Sequence, residues 1–238
     1  MEDGTIITLA DRGATFSRWR IAFQDLSDQE ANTLKTFFAA TQGNLQPFLF
    51  ADPTTNLLLS PEDLSNGAWE TRGLLFDWAV VDPFGSCRAS RTHNNTSSDC
   101  AVAQNTLLPG LVQSCFSVYL RSEAATTVTL SRTAGNQANS MSVSLAGTWQ
   151  RFYLAGLFPN TTDASRFAIT IPLGTQVEIF GPQLEVQLTP SAYVTGTERN
   201  SGICTVARFD MKRIDVIATG PNRNACVVSV RCNFPGGE

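Results

Sequence analysis

The sequence predicts a mainly β chain, in which a small split domain of β-sandwich type with one helix is interrupted by an inserted antiparallel β-sandwich. Three observations predict it. Residues 16–53, FSRWRIAFQDLSDQEANTLKTFFAATQGNLQPFLFADP, spell a strand, a capped helix and a second strand ending in a turn. Residues 56–196 carry many short period-two segments separated by Gly, Asn, Asp and Pro turns, with no helical period. Finally, residues 205–232 resolve into two strands, TVARFDMKRIDVIAT and ACVVSVRC, joined by the turn Gly220–Asn224. A lone hairpin is not stable in water, so this one must complete the sheet begun by the opening segment. The expected domains are therefore 1–55 with 197–238 for the outer one, and 56–196 for the inserted one.

The elements follow in order. Residues 5–11 and 16–24 read as strands, and in the second Trp19, Ile21 and Phe23 share the core-facing side. Ser27 and Glu30 form a capping box, with Leu26 stapled onto Ala31. Asp28 and Glu30 suit the positive end of the helix. Leu34, Phe37, Phe38 and Thr41 make its buried stripe, and Gly43 ends it. Residues 45–50 form a short strand with Pro47 at an edge or bulge position. In the insert, strands are expected at 74–81, 112–120, 127–131, 140–145, 150–156, 166–171 and 176–183. Trp149 and Phe152 open a strand that crosses the core. The polar stretch 88–105 reads as the longest irregular, exposed loop.

Composition narrows the function classes. The 238 residues are 42% hydrophobic and only 16% charged, enough apolar material for packed cores and too little charge for disorder. A net charge of −4 argues against a nucleic-acid binder, which needs a concentrated basic surface. Arg12, Arg18 and Arg20 read as a solvated strand face. No apolar run is long enough to span a membrane, and Met1-Glu2-Asp3-Gly4 lacks the character of a signal peptide. Without a CxxC pair, the six cysteines point to no structural zinc site. Cys87, His93 and Cys100 are a poor ligand set, and Cys115 in VQSCFSVYL reads as a small buried hydrophobe. The disulfide pairing stays open. No metal and no cofactor is expected.

The reactive residues converge on no catalytic constellation. The single histidine, His93, lies in RTHNNTSSD without a nucleophile elbow, and reads as a surface residue. Asp77, Asp82, Glu178 and Glu185 are available as paired carboxylates for glycoside hydrolysis, but their separation is not encoded in the sequence, and Glu185 reads as structural. Exposed aromatics are the usual sugar platforms, with Trp69, Trp78 and Tyr153 as candidates. Trp69 and Trp149 read as packing residues. Trp78, between Asp77 and the Asp82-Pro83 turn, is the least constrained and is the candidate carbohydrate-binding residue, although the usual burial of tryptophan weighs toward core.

The two halves also carry resemblances. FSRWRIAFQDLSDQEANTLKTFFAATQGNLQPFLFADP, with RFDMKRIDVIATGPNRNACVVSVR, resembles the distal-tail and minor-tail proteins of long-tailed bacteriophages and related gene-transfer particles. NLLLSPEDLSNGAWE, SVYLRS, GTWQRFYLAG and VEIFGPQLEVQLTPSAYV resemble the carbohydrate-binding-module-like jelly rolls of phage tail and fibre proteins. The resemblance implies a structural, non-enzymatic component of a virion tail, assembled in the bacterial cytoplasm. It would form a homo-oligomeric, hexameric ring at the distal tail or baseplate and display a jelly roll. Its partners would be itself and the neighbouring tail tube and hub proteins, with no nucleic acid and no membrane insertion. The alternative is a receptor-binding protein that recognises host surface glycans through the jelly roll. Which residues form the oligomer interface is left open.

Overall fold

The computed structural model describes residues 16–159, 164–196 and 202–233; the expected strand 5–11 and Arg12 lie outside them. In chain order the elements are β1 (Phe16–Leu26), α1 (Asp28–Ala40), β2 (Phe48–Ala51), β3 (Leu75–Val80), β4 (Ala89–His93), β5 (Cys100–Pro109), β6 (Ser114–Arg121), β7 (Thr126–Ala134), β8 (Gln137–Leu145), β9 (Gln150–Gly156), β10 (Ala164–Ile171), β11 (Gln176–Glu185), β12 (Ile203–Phe209), β13 (Val216–Gly220) and β14 (Arg223–Asn233). The chain is mainly β, its described sheets are antiparallel, and it divides into two compact units. The described residues up to Phe50 and from Cys204 form one unit; Ala51–Ile203 form the other.

In the split unit the strand order is β1-β14-β12-β2, with β13 also paired to β14. Alternation places Trp19, Ile21 and Phe23 opposite Val230, Val228 and Cys226. They pack on a core of Ala207, Phe209, Val228, Val230 and Cys232. The layer facing this sheet is α1. Ser27 Oγ accepts from Glu30 N while Glu30 accepts from Ser27 N, so the capping box is complete. Asn222 Oδ1 takes a further free donor, Asp28 N, at 2.8 Å.

Three expectations for this unit are corrected. Gly43 is not the first residue past the helix. Thr41 is the C-cap and Gln42 takes the left-handed conformation, φ 52°. Gln42 N donates to Ala39 O and Gly43 N to Phe38 O, which is the Schellman arrangement. Phe37 is not a core residue but remains 41% exposed, packed edge-on against Phe48 and Phe209. The helix is rotated so that Ala31 and Thr41 are buried and Leu34 and Phe38 lie partly buried on the core. The strand expected over 205–219 breaks into β12 and β13. Phe209 pairs with Val230 and Val216 with Cys226, so residues 210–215 face only 227–229 and loop out.

The inserted unit is an antiparallel sandwich of jelly-roll type, with sheets ordered β5-β10-β7-β8 and β3-β4-β11-β6-β9. Phe116 of β6 meets Phe167 of β10 across the interior, ring centroids 5.5 Å apart. Val102, Leu130, Ile169, Ile171, Val118, Leu120 and Ile179 fill the space around them. The region 88–105, expected to be an exposed loop, instead supplies β4 and most of β5. Its inward positions include small polar residues, so an apolar alternation is weak there. Ser90, Thr92, Asn94 and Gln104 are nevertheless buried. The last three are buried with partners: Thr92 Oγ1 donates to Val177 O, Asn94 Nδ2 to Ile171 O, and Gln104 bonds both N and O of Leu59.

Candidate functional site

The outward face of the β3-β4-β11-β6-β9 sheet gathers most of the polar and aromatic chemistry of the inserted unit. Register fixes which side chains share it. Phe116, Val118 and Leu120 point into the sandwich, so Cys115, Ser117, Tyr119 and Arg121 point out. Opposite them on β11 stand Glu185, Gln183, Phe180 and Glu178, and on β9 stand Ala155, Tyr153 and Arg151. Arg91 of β4 pairs with Glu178 and with Asp77 of β3.

Glu178 is nearly fully buried and neutralised from both sides. Arg91 donates to Oε1 through Nε at 2.9 Å and Nη2 at 2.5 Å, and Arg121 donates to Oε2 through Nε. The bond to Glu178 holds the Arg91 guanidinium above its usual value, against burial, which pushes it down. Arg121 lies over the Trp149 ring at 4.7 Å, and Trp149 Nε1 donates to Val81 O. Arg151 lies over Tyr119 at 5.2 Å and donates to the Ser191 carbonyl and to Ser117 Oγ at 2.9 Å. Tyr153, farther along β9, is 44% exposed.

A second aromatic group borders this face. Asp82 is buried and its Oδ1 accepts from Phe84 N and Ser86 N, which fixes the turn 82–86. Burial pushes the Asp82 carboxyl up, yet the Phe84 N–H and the Arg88 guanidinium hold it below the usual range. The turn presents Phe84, 57% exposed, edge-on to Tyr119 and Phe180 and stacked beside Tyr193. Phe84, Arg88 and residues 192–195 line an open hollow of about 530 Å³. Burial, and then Glu62, raises the Tyr193 hydroxyl far above its ordinary value; it donates to Glu62 at 3.0 Å.

The residues singled out from sequence fall as follows. Trp78 is not a core residue. It is 47% exposed and stacked on Phe76, ring centroids 5.2 Å apart. Phe76 pairs with Thr92, an inward position, so the Phe76–Trp78 pair sits at the β3 edge and outside the Glu178 face. Trp69 is buried, its Nε1 bonded to Ser60 O. His93 is not in a loop but ends β4, with Nε2 2.7 Å from Asp77 Oδ2. The four carboxylates are Glu178 and Asp82, held as above, Asp77 at His93, and Glu185, which accepts from Ser191 and Gln187. Among the described residues no group of His, Cys, Asp and Glu is placed to hold a metal ion, and the six cysteines form no disulfide. Sequence reasoning missed Phe84, Tyr119, Arg121 and Arg151. The Asp82-Pro83-Phe84-Gly85 turn was a usable signal for the first, since such residues form turns and turns run over the surface.

No protein-family model matches the chain, and no curated protein matches it. Among solved structures, it is similar to the CBM22-1 xylan-binding domain from Paenibacillus barcinonensis Xyn10C, at 13% identity over 59% of this chain and 97% of that one, TM-score 0.44. It is similar to TmCBM61, solved with β-1,4-galactotriose, at 12% identity over 56% of this chain and 100% of that one, TM-score 0.42. It is also similar to the enzymatically active domain of bacteriophage CBA120 tailspike protein 4, at 14% identity over 57% of this chain, TM-score 0.42; the match spans 22% of that protein's length.

Proposed function

We propose that the inserted unit binds glycans on the outward face of its five-stranded sheet. One observation carries the reading. Tyr153, Trp149 and Tyr119 lie on one face with Arg121 and Arg151, each set by strand register or by a bonded neighbour. Ring faces stack on the apolar faces of sugars, and a few fixed polar groups orient the hydroxyls. The proposed role is binding, with no turnover and no cofactor. The full chain on a glycan array checks it. Tyr153→Ala or Trp149→Ala, folded by melting temperature, should lose at least about 1 kcal/mol of binding. Trp78→Ala, off this face, should not. Loss on Trp78→Ala alone would move the site to the β3 edge.

A second reading concerns the split unit and rests on its outward sheet face. Phe16, Val206 and Val227 are exposed there, interleaved with Arg18, Arg20, Arg208 and Arg231. Arg231 lies 4.3 Å over the Phe16 ring, and Arg18 pairs with Asp210. Aromatic, aliphatic and arginine side chains without lysine or glutamate are the composition of an interface core. On this reading the split unit assembles into a ring within a phage or phage-like tail, with tail tube and hub proteins as neighbours, and the jelly roll is the displayed module. Mass photometry and negative-stain imaging test it. A closed ring that Val206→Asp dissolves is expected; a monomer at micromolar concentration counts against it.

A further inference from the structure

We propose that the outward-face site takes saccharides bearing a carboxylate, and that Arg121 is the side chain that reads the acid. This rests on the glycan-binding reading and narrows it to one ligand class.

The donor inventory points to Arg121. Glu178 offers two oxygens. Arg91 occupies one of them with two nitrogens, and Glu123 Oε1 stands 3.6 Å from the same Arg91 Nη2. Arg121 reaches the remaining oxygen through Nε alone. Its Nη1 and Nη2 make no hydrogen bond among the described residues, and its side chain is 28% exposed. The flat face of the guanidinium is taken by Trp149. What remains to offer is therefore an edge with two parallel N–H groups. That geometry matches a carboxylate bidentately, and a sugar hydroxyl uses only half of it.

The charge balance agrees. Arg91 and Arg121 share the buried carboxylate of Glu178, and the second carboxylate, Glu123, serves Arg91, so Arg121 has only its half of Glu178. Arg151, next on the same face, has no carboxylate within 4 Å among the described residues; its partners are a carbonyl and a hydroxyl. On the β6–β9 side of the face the charged groups are thus the cations Arg121 and Arg151, whereas the carboxylates Glu178 and Glu185 come from β11. Arg151 has its terminal nitrogens occupied, so it supplies field and Arg121 supplies the fork. Tyr153 stands beside them as an open ring. Its Cα lies about 13 Å along β9 from that of Trp149 at ordinary strand rise. A carboxylated oligosaccharide along β9 reaches both groups.

The test is calorimetric titration of the full chain with oligogalacturonate, oligomannuronate and sialyllactose, each beside its methyl ester. The ester keeps the sugar and removes the charge. At least one acid should bind about tenfold more tightly than its ester, as expected for a bidentate charge-assisted pair, and added salt should shrink that ratio. Arg121→Lys keeps the charge and an ion pair to Glu178 but loses the fork, and should abolish most of the discrimination while the melting temperature holds. Arg121→Gln should abolish all of it. If Arg121→Gln unfolds, the lysine variant decides. Equal binding of acid and ester, or discrimination that survives Arg121→Lys, overturns this inference and leaves glycan binding standing. Binding of neutral saccharides alone does the same. Binding of no saccharide in either panel overturns both.

Discussion

Arg132 is a buried cation with no carboxylate beside it among the described residues, and its removal discriminates between two opposed effects. It belongs to β7 and points into the sandwich, 4% exposed. Nη1 donates to Gly156 O at 2.6 Å. Nη2 lies 2.9 Å from Gly110 O, 3.2 Å from Pro109 O and Val112 O, and 3.3 Å from Ser165 Oγ. The guanidinium therefore gathers the β5–β6 loop, the end of β9 and the start of β10 at one end of the sandwich. Burial pushes its pKa down to about 10, well below the ordinary guanidinium value. At about 1.4 kcal/mol per unit, the cost of keeping it charged is about 3 kcal/mol. Replacing Arg132 by Met removes that cost. It also orphans the two short-bonded carbonyls, at about 1–3 kcal/mol each, and loses the weaker bonds and the stacking on Phe158 and Phe167. The losses outweigh the gain, and Arg132→Met should destabilise the inserted unit by about 2–4 kcal/mol. Trp19 is the only tryptophan outside that unit, so urea unfolding in a Trp19→Phe background reports the inserted unit through Trp69, Trp78 and Trp149. The sign of the pH dependence is also set. Above pH 10 and below the ordinary guanidinium value the unfolded chain holds a proton that the folded chain releases, so this group's contribution to stability rises with pH there, a rise that vanishes in Arg132→Met. A methionine variant as stable as the parent would refute the argument and make Arg132 a buried liability.

Two further predictions follow from the cores. Burial raises the Cys115 thiol to about 11 from 9, so its contribution to stability is present below pH 9 and lost as pH rises toward 11; Cys115→Ala should flatten that fall in urea midpoints measured from pH 8 to 11. Phe209 is 3% exposed and meets Phe37, Phe38 and Phe48, so Phe209→Ala should cost about 3–5 kcal/mol by chemical unfolding, whereas Phe37→Ala, at the rim of the same cluster, should cost no more than about half as much.

What the sequence made legible was whatever rests on local chemistry or on apolar alternation. Ser27 and Glu30 announce the helix start because both bonds of the box lie within four residues. Trp19, Ile21 and Phe23 announce their face because β1 alternates apolar with polar. β9 was legible to the residue, and the other expected strands of the insert to within a few. β4 and β5 were hidden because their inward faces mix Ser, Thr and Gln with small apolar residues. Such strands look like loops until the partners of Thr92, Asn94 and Gln104 are known, and those partners lie far along the chain. Phe37 misled because helix period leaves the rotation of the buried stripe open by a residue. Trp78 misled because a general burial preference outweighed its place on an edge strand. The Arg91–Glu178–Arg121 clamp was illegible for a different reason: three strands distant in sequence must be aligned in register before these side chains meet.

That register also explains why the closing stretch of the inserted unit and the candidate site are made of different residues. In GPQLEVQLTPSAYV the side chains clamp the segment 191–194 onto β11. Gln183 Oε1 accepts from Val194 N and its Nε2 donates to Ala192 O, while Glu185 accepts from Ser191 N. Gly181, at φ 57°, leaves the Tyr193 ring the room it needs, since a Cβ there would lie 2.5 Å from the ring. Asn56, from the opening motif, joins the same arrangement by bonding Pro182 O and Leu184 N. These residues hold the end of the inserted unit together. The clamped segment lies beside β11, where Ser191 O also receives Arg151. The side chains left toward solvent are those of the β6 end and β9: Arg121, Trp149, Arg151 and Tyr153. The proposed ligand choice thus falls to the outward positions of SVYLRS and GTWQRFYLAG, stretches whose alternate residues Val118 and Leu120 pack inward.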